Sequence, residues 1–156
     1  TAFHVEAEDI IVYSFTTFGY VQAEGTSTRQ GLELAFGGAL REGLRFDGSY
    51  PWTDSFSDAD LDTSSWSAFV PGQQASASVT ANLGQRASLN VTGLWAGNRA
   101  DDLDDYGVVN STLTYEIMED AEVYLRIENI FDEEYQTAPG YGQSDRAAYF
   151  GVRASL

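Results

Sequence analysis

Residues 121–135 read A-E-V-Y-L-R-I-E-N-I-F-D-E-E-Y, and this stretch decides the fold class. Its first half alternates strictly between apolar and polar residues, with one parity holding Val123, Leu125 and Ile127 and the other Tyr124, Arg126 and Glu128. Alternation with a period of two is typical of a β-strand that has one apolar and one polar face. The alternation stops at Asn129, so we predict that the strand ends there and a loop begins.

The same alternation recurs along the chain and predicts seven further strands. They cover about residues 2–14, 20–39, 44–55, 74–83, 87–98, 106–117 and 146–156. In the first of them the parity slips near residues 9–11, where we expect a bulge. Pro51 inside the third predicts a bulge or a locally unpaired amide, because proline has no N–H for the ladder.

The connections between these strands are alternately short and long, and no segment has a helical period. This pattern predicts an all-β, antiparallel up-and-down meander of about eight strands, built as a transmembrane β-barrel segment with its short turns at one edge. Aromatic residues near strand ends favour the interfacial girdles of such barrels, namely Tyr13, Trp52, Trp95, Tyr106 and Tyr115. The alternative is a soluble or designed small β-barrel that acts as a binding module.

Composition excludes several classes of function. The 156 residues fit one domain, and the absence of cysteine excludes disulfides and thiolate metal sites. The net charge of −16 argues against a nucleic-acid partner, which requires basic patches. Ionic residues at the polar parity predict cross-strand ion pairs in the interior, among Glu33, Arg45, Asp47, Arg126, Glu128 and Arg153.

Two motifs resemble those of TonB-dependent outer-membrane receptors. Residues 129–135, N-I-F-D-E-E-Y, resemble the N-[LI]-F-[DN]-x-x-Y motif near the end of these receptors, and residues 146–156 are similar to their closing strand. Residues 28–33, T-R-Q-G-L-E, resemble the basic-x-Gly-apolar-Glu run earlier in the same barrel. The similarity extends over essentially the whole chain.

The resemblance implies that residues 1–156 are the C-terminal part of a receptor barrel of about 22 strands, without the plug domain or the TonB box. It implies a bacterial outer-membrane location, contact with membrane lipid, and energised uptake of an iron-siderophore or cobalamin. The TonB complex would act only through the missing N-terminal region. Residues 141–146 resemble a run found in cobalamin-type members. No cofactor is expected.

Aromatic and cationic residues in the long loops are the candidate ligand contacts: Trp66, Phe69, Tyr141 and Arg146. Aromatic groups in loops at the mouth of a barrel can hold an amphipathic ligand. The alternative is that they pack one loop against another.

Residues Asp58, Asp60 and Asp62 have the spacing of a calcium loop. The sixth position of that loop lacks glycine, and the twelfth is Phe69 where calcium loops have glutamate. A solvated acidic loop is therefore the favoured interpretation, with calcium binding as the alternative.

Adjacent carboxylates at Glu133 and Glu134 are the residues that could carry acid–base chemistry. The chain has no lysine, and its one histidine, His4, is distant in sequence. We therefore expect transport without catalysis. A hydrolase would instead lose activity when His4 or Glu133 is changed.

Overall fold

The computed structural model describes residues 1–14, 16–57, 71–99 and 103–155, which form an antiparallel sheet of eight strands and two small hairpins. The strands are β1 (Ala2–Glu8), β2 (Ile11–Ser14), β3 (Gly19–Gln22), β4 (Thr26–Arg41), β5 (Leu44–Ser57), β6 (Gln73–Leu83), β7 (Ala87–Gly97), β8 (Tyr106–Met118), β9 (Ala121–Glu128), β10 (Gln136–Ala138), β11 (Tyr141–Gly142) and β12 (Ala147–Ala154). Among these residues no helix is long and apolar enough to cross a membrane.

The large sheet has the order β1-β4-β5-β6-β7-β8-β9-β12, so the predicted meander is confirmed. The sheet is open: within the described residues, β1 and β12 each pair with one neighbour. Its short connections, residues 42–43, 84–86 and 119–120, lie at one end of the strands, here called the turn edge. The opposite end, the loop edge, carries residues 98–99, 103–105 and 129–146.

Registry places apolar and polar residues on opposite faces of the whole sheet. Residues paired across antiparallel strands share a face, and neighbours along a strand alternate. One row of paired residues defines the apolar face, running Leu44, Ala81, Leu89, Leu113, Leu125 and Phe150. The adjacent row defines the polar face, running Arg45, Thr80, Asn90, Thr112, Arg126 and Tyr149.

Aromatic residues border the apolar face as predicted for three of five positions. Trp52 and Trp95 lie on it near the loop edge, and Tyr115 lies on it near the turn edge. Beyond Trp52 the same face becomes polar, since Gln30 donates to Asp54 at 3.3 Å. The prediction was wrong for Tyr106, which is buried on the polar face, and for Tyr13, which belongs to the β2–β3 hairpin.

The predicted first and second strands are each two strands in the structure. Asp9, with φ of 53°, ends β1 with a turn where we expected a bulge, and the chain continues as a separate hairpin of β2 and β3. In β1 the apolar residues Phe3, Val5 and Ala7 share the face of Gly31, Arg29 and Ser27, which is the polar face. Alternation reveals that a strand has two faces, whereas only registry reveals which face is which.

Two local predictions concern Pro51 and the ionic residues. Pro51 lies within β5. In the ladder to β6, the Ser49–Ser76 pair is followed by the Trp52–Gln73 pair in the same register, so Pro51 has no partner in β6. The expected unpaired position is therefore present, and there is no bulge between these pairs. Ion pairs join Arg126 to Glu128 at 3.3 Å along one strand and Arg153 to Glu122 across two. Among the described residues, Glu33, Arg45 and Asp47 make no ion pair, and Arg126 and Glu128 pair along their own strand, so the prediction of cross-strand pairs was wrong for these five and holds for Arg153.

Candidate functional site

Asn129, the first residue beyond β9, is buried (3% exposed) and has a left-handed φ of 51°. Its backbone N–H donates to the Asn110 side-chain oxygen at 2.9 Å. Its side-chain oxygen accepts from the Glu133 N–H at 2.9 Å, and its side-chain amide donates to the Glu133 carbonyl at 2.9 Å and the Ser144 carbonyl at 3.4 Å. Asparagine tolerates this backbone conformation and supplies both kinds of partner, so it reverses the chain and anchors the loop.

A second anchor joins the two ends of the 129–146 loop. Asp132, with φ of 61°, accepts a hydrogen bond from the Arg146 N–H at 2.8 Å and forms an ion pair of 3.7 Å with the Arg146 guanidinium. The same guanidinium donates to the Ile130 carbonyl at 3.3 Å. Asn129 and Asp132 of the N-I-F-D-E-E-Y motif therefore fix the base of the loop.

An aromatic pair on the polar face connects this loop to β8. The rings of Tyr106 and Tyr135 stack at 4.4 Å, and Tyr106 packs with Ala96 and Val108 in a small buried cluster. Burial raises the pKa of the Tyr135 phenol, and the neighbouring Tyr106 and Glu128 raise it further. Below that raised pKa, the phenol is held neutral against its stacking partner.

Arg99, two residues beyond the end of β7, contacts the Tyr106 ring of this pair. Its guanidinium carbon lies 4.9 Å from the centre of the Tyr106 ring. The guanidinium donates to the Asp104 carbonyl at 2.9 Å and to the Thr137 carbonyl at 3.1 Å. Sequence reasoning missed Arg99; its position as the one cation beside the acidic residues 101–105 was the available signal.

These groups line a cleft of about 350 Å³ at the loop edge. The lining includes Arg99, Tyr106 and Tyr135. It also includes four carboxyl-bearing residues, Asp104, Asp105, Glu134 and Asp145. A second cleft of about 280 Å³ shares Tyr135, Gln143 and Asp145 with the first. The arrangement combines aromatic faces, carboxylates and one guanidinium, which suits binding of an amphipathic molecule.

Two of the predicted ligand contacts lie on the loop that borders this cleft. Tyr141 lies in β11 and is 72% exposed, and its neighbour Gly142 lines the cleft. Arg146 lies at the base of the loop, where its guanidinium is engaged by Asp132 and Ile130. The other predicted positions, Trp66, Phe69, Asp58, Asp60 and Asp62, lie outside the described residues, so the ligand and calcium predictions there stay predictions.

The residues considered for catalysis are not brought together. His4 lies on the edge strand β1 and contacts Glu6 at 3.1 Å. Glu133 follows β9, and β1 and β9 are separated by five strands of the sheet. Within the described ranges, no three histidine or carboxylate groups are placed to hold a metal ion.

An open antiparallel sheet with an apolar and a polar face, short turns at one edge and longer loops at the other, has the architecture of a wall segment of a transmembrane β-barrel. The family model described as TonB dependent receptor-like, β-barrel, matches residues 1–130. The chain belongs to that family, as its motifs predicted. It is accordingly part of a bacterial outer-membrane barrel.

Over the aligned residues, curated relatives are about a quarter identical to this chain. The metal-pseudopaline receptor CntO of Pseudomonas aeruginosa is 26% identical over 86% of the chain and 21% of its own length. The vitamin B12 transporter BtuB of Vibrio cholerae is 26% identical over 97% of the chain and 26% of its own length. The chain therefore spans about a quarter of the length of these relatives.

Solved structures share the fold at lower identity. The pyoverdine outer membrane receptor FpvA from Pseudomonas aeruginosa has a TM-score of 0.77 and 17% identity, covering 99% of this chain and 26% of its own. The ferric yersiniabactin uptake receptor FyuA from Yersinia pestis has a TM-score of 0.76 and 19% identity, covering 98% and 26%. The predicted all-β barrel fold is confirmed by these matches.

Proposed function

We propose that this chain forms part of the barrel wall of a receptor that takes up an iron-siderophore or cobalamin across the outer membrane, driven by TonB. The observation that carries the proposal is the two-faced sheet, with an apolar face for lipid and a cleft at the loop edge of the polar face. Such a wall separates membrane lipid from a ligand in the lumen. Tyr141, Arg146, Trp66 and Phe69 are the proposed ligand contacts.

The domain assignment is part of the same proposal. Residues 1–156 would be the C-terminal portion of the barrel, and the strands that complete it, the plug domain and the TonB box would lie elsewhere in the receptor. The open edges of β1 and β12 support this, because unpaired backbone groups in a bilayer carry a large free-energy cost. TonB would act on the receptor through the N-terminal box.

The two alternative classes have less support. A soluble binding module would leave Phe36, Phe150 and Val152 in water, since these residues are more than half exposed on the apolar face. A hydrolase would need catalytic groups in reach of one another, whereas His4 lies on β1 and Glu133 follows β9, with five strands between β1 and β9. We therefore propose that the receptor carries out no catalysis.

The experiment is uptake by the full-length receptor in a strain that lacks its own receptors. Cells are supplied with radiolabelled ferric siderophores of different chemical classes or with labelled cyanocobalamin. We expect energy-dependent accumulation of one of these ligands, abolished when TonB is deleted. Accumulation of none of them, with the receptor folded in the outer membrane, would refute the proposed function.

A further inference from the structure

We propose that Arg99 is a positioning residue for ligand capture, because it holds the β10–β11 hairpin, and with it Tyr141, against the barrel wall beside the cleft. The inference deepens the proposed function and rests on it for the role of Tyr141. Arg99 lies outside the family motifs, and its role follows from how residues 136–142 are attached to the rest of the molecule.

The base of the 129–146 loop is anchored independently of Arg99. Asn129 and the Asp132–Arg146 pair fix the two ends of the loop. The ring of Tyr135, just before the hairpin, stacks on Tyr106. The Tyr135 backbone carbonyl accepts a hydrogen bond from the Gln143 N–H at 3.1 Å. These contacts hold residues 129–135 and 143–146 in place. None of them involves the hairpin residues 136–142.

The hairpin itself has mostly internal bonds. The Gly140 N–H donates to the Gln136 side chain at 2.7 Å, and the Gln143 side chain donates to Thr137 at 3.0 Å. In the part of the chain that the structure describes, one hydrogen bond joins residues 136–142 to anything outside this loop, the bond from Arg99 to the Thr137 carbonyl. Removal of the guanidinium would therefore free the hairpin from the wall.

Arg99 is itself held in a fixed position. Asn98 directly follows β7 and has a left-handed φ of 52°, and its carbonyl accepts from the Gly72 N–H at 2.9 Å, which ties the end of β7 to the residue before β6. The Asp104 carbonyl and the Tyr106 ring then orient the guanidinium. A planar guanidinium can donate to two carbonyls while it stacks on a ring, whereas a lysine ammonium is a point charge on a flexible stem.

The test uses the full-length receptor with Arg99→Ala and Arg99→Lys, and Arg86→Ala as the matched control. Arg86 lies in the β6–β7 turn at the opposite edge of the sheet. Circular dichroism establishes that each variant is folded. Hydrogen exchange of the amides of residues 136–142 is measured without ligand, and dissociation rates are measured with cyanocobalamin and a ferric trihydroxamate as probes.

We expect Arg99→Ala to speed amide exchange in the hairpin and dissociation of the bound probe each by about tenfold, as for loss of a hydrogen bond to a charged group. Arg86→Ala should change neither. Arg99→Lys should resemble Arg99→Ala more than the parent. Parent-like behaviour of either Arg99 variant in both measurements would overturn the proposal. Accumulation of no ligand in the uptake experiment would count against the proposed function, whereas the exchange experiment, which needs no ligand, decides separately whether Arg99 holds the hairpin.

Discussion

The side-chain oxygen of Asn110 accepts a hydrogen bond of 2.9 Å from the backbone N–H of Asn129, joining β8 to the first residue beyond β9. The Ile130 N–H donates to the Val109 carbonyl at 2.8 Å in the same region. The chain thus leaves the β8–β9 ladder at a defined point, and the Asn129 side chain directs it into the loop.

Replacement of Asn129 tests this anchor. Asn129→Ala should destabilise the receptor by about 2–4 kcal/mol, since it removes the buried amide's hydrogen bonds and places alanine at a left-handed φ. Glycine adopts that φ without strain, so Asn129→Gly should lose only the stability that the hydrogen bonds contribute. Unfolding free energies in detergent would measure both. Equal losses for the two variants would contradict a backbone contribution.

The ring of Phe3 covers Gly31 across the β1–β4 ladder on the polar face. A Cβ at Gly31 would lie 2.7 Å from the Phe3 Cζ atom, with the Trp52 carbonyl also in its way. Gly31→Ala should therefore cost about 1–3 kcal/mol of unfolding free energy through overpacking. Gly93→Ala is the control, because its nearest atom lies 4.0 Å away. A loss at Gly93 as large as that at Gly31 would argue against the steric explanation.

Charge substitutions distinguish the two faces. Val79 and Ser78 are neighbours in the middle of β6, with Val79 paired to Phe46 on the apolar face and Ser78 paired to Asp47 on the polar face. Val79→Lys should cost about 2–4 kcal/mol in a bilayer, the range for a charge facing lipid at its midplane. Ser78→Lys should cost far less. Folding titrations in lipid vesicles measure both free-energy losses. A larger loss for Ser78→Lys than for Val79→Lys would mean that the polar face contacts lipid.

Ionisation of Tyr135 should loosen the loop at alkaline pH. Burial, with Tyr106 and Glu128, raises the pKa of its phenol, so the folded state holds that proton more tightly than the unfolded state, where the pKa is about 10. The resulting stability is fully present below about pH 10 and is lost as the pH rises through the raised pKa. Phenolate absorbance of the parent minus that of Tyr135→Phe isolates this group. A midpoint at or below pH 10 would contradict the prediction.

Tyr141 and Arg146 should affect ligand binding in different ways. Tyr141→Ala removes an exposed ring and should weaken binding by about tenfold without changing stability, since such a ring contributes mainly through ligand contact. Arg146→Ala should also lower stability, because it breaks the contacts to Asp132 and Ile130. Phe150→Ala, on the apolar face, is the control. Calorimetry of binding beside unfolding measurements separates the effects, and unchanged affinity in Tyr141→Ala would remove it from the site.

The sequence predicted the central strands to within a residue or two. Residues 74–83, 87–98 and 106–117 correspond to Gln73–Leu83, Ala87–Gly97 and Tyr106–Met118. These strands alternate cleanly and are joined by turns or loops of contrasting composition. At the N-terminus the prediction was wrong in detail, because residues 2–14 were predicted as one strand, whereas residues 11–14 leave the large sheet and pair with residues 19–22, which no local pattern specifies.

For the candidate site, the sequence located the loop and missed its central contacts. Tyr141 and Arg146 were predicted from residue type and loop position. Tyr106 was predicted at the lipid interface because an aromatic residue at a strand end fits that role, and its stacking on Tyr135 depends on a contact 29 residues away along the chain. Arg99 was not predicted, since its bond to Thr137 joins two separate connections.

By itself, the sequence determined the central strands, their two-sided character and the end of β9 before Asn129, because side-chain direction along a strand and turn chemistry are local properties. Only the tertiary structure decided which side of β1 joins the apolar face, that β2 and β3 form their own hairpin, and that Arg99 and Tyr106 meet the 129–146 loop. Those features depend on interstrand registry and on contacts between distant segments, which no local pattern specifies.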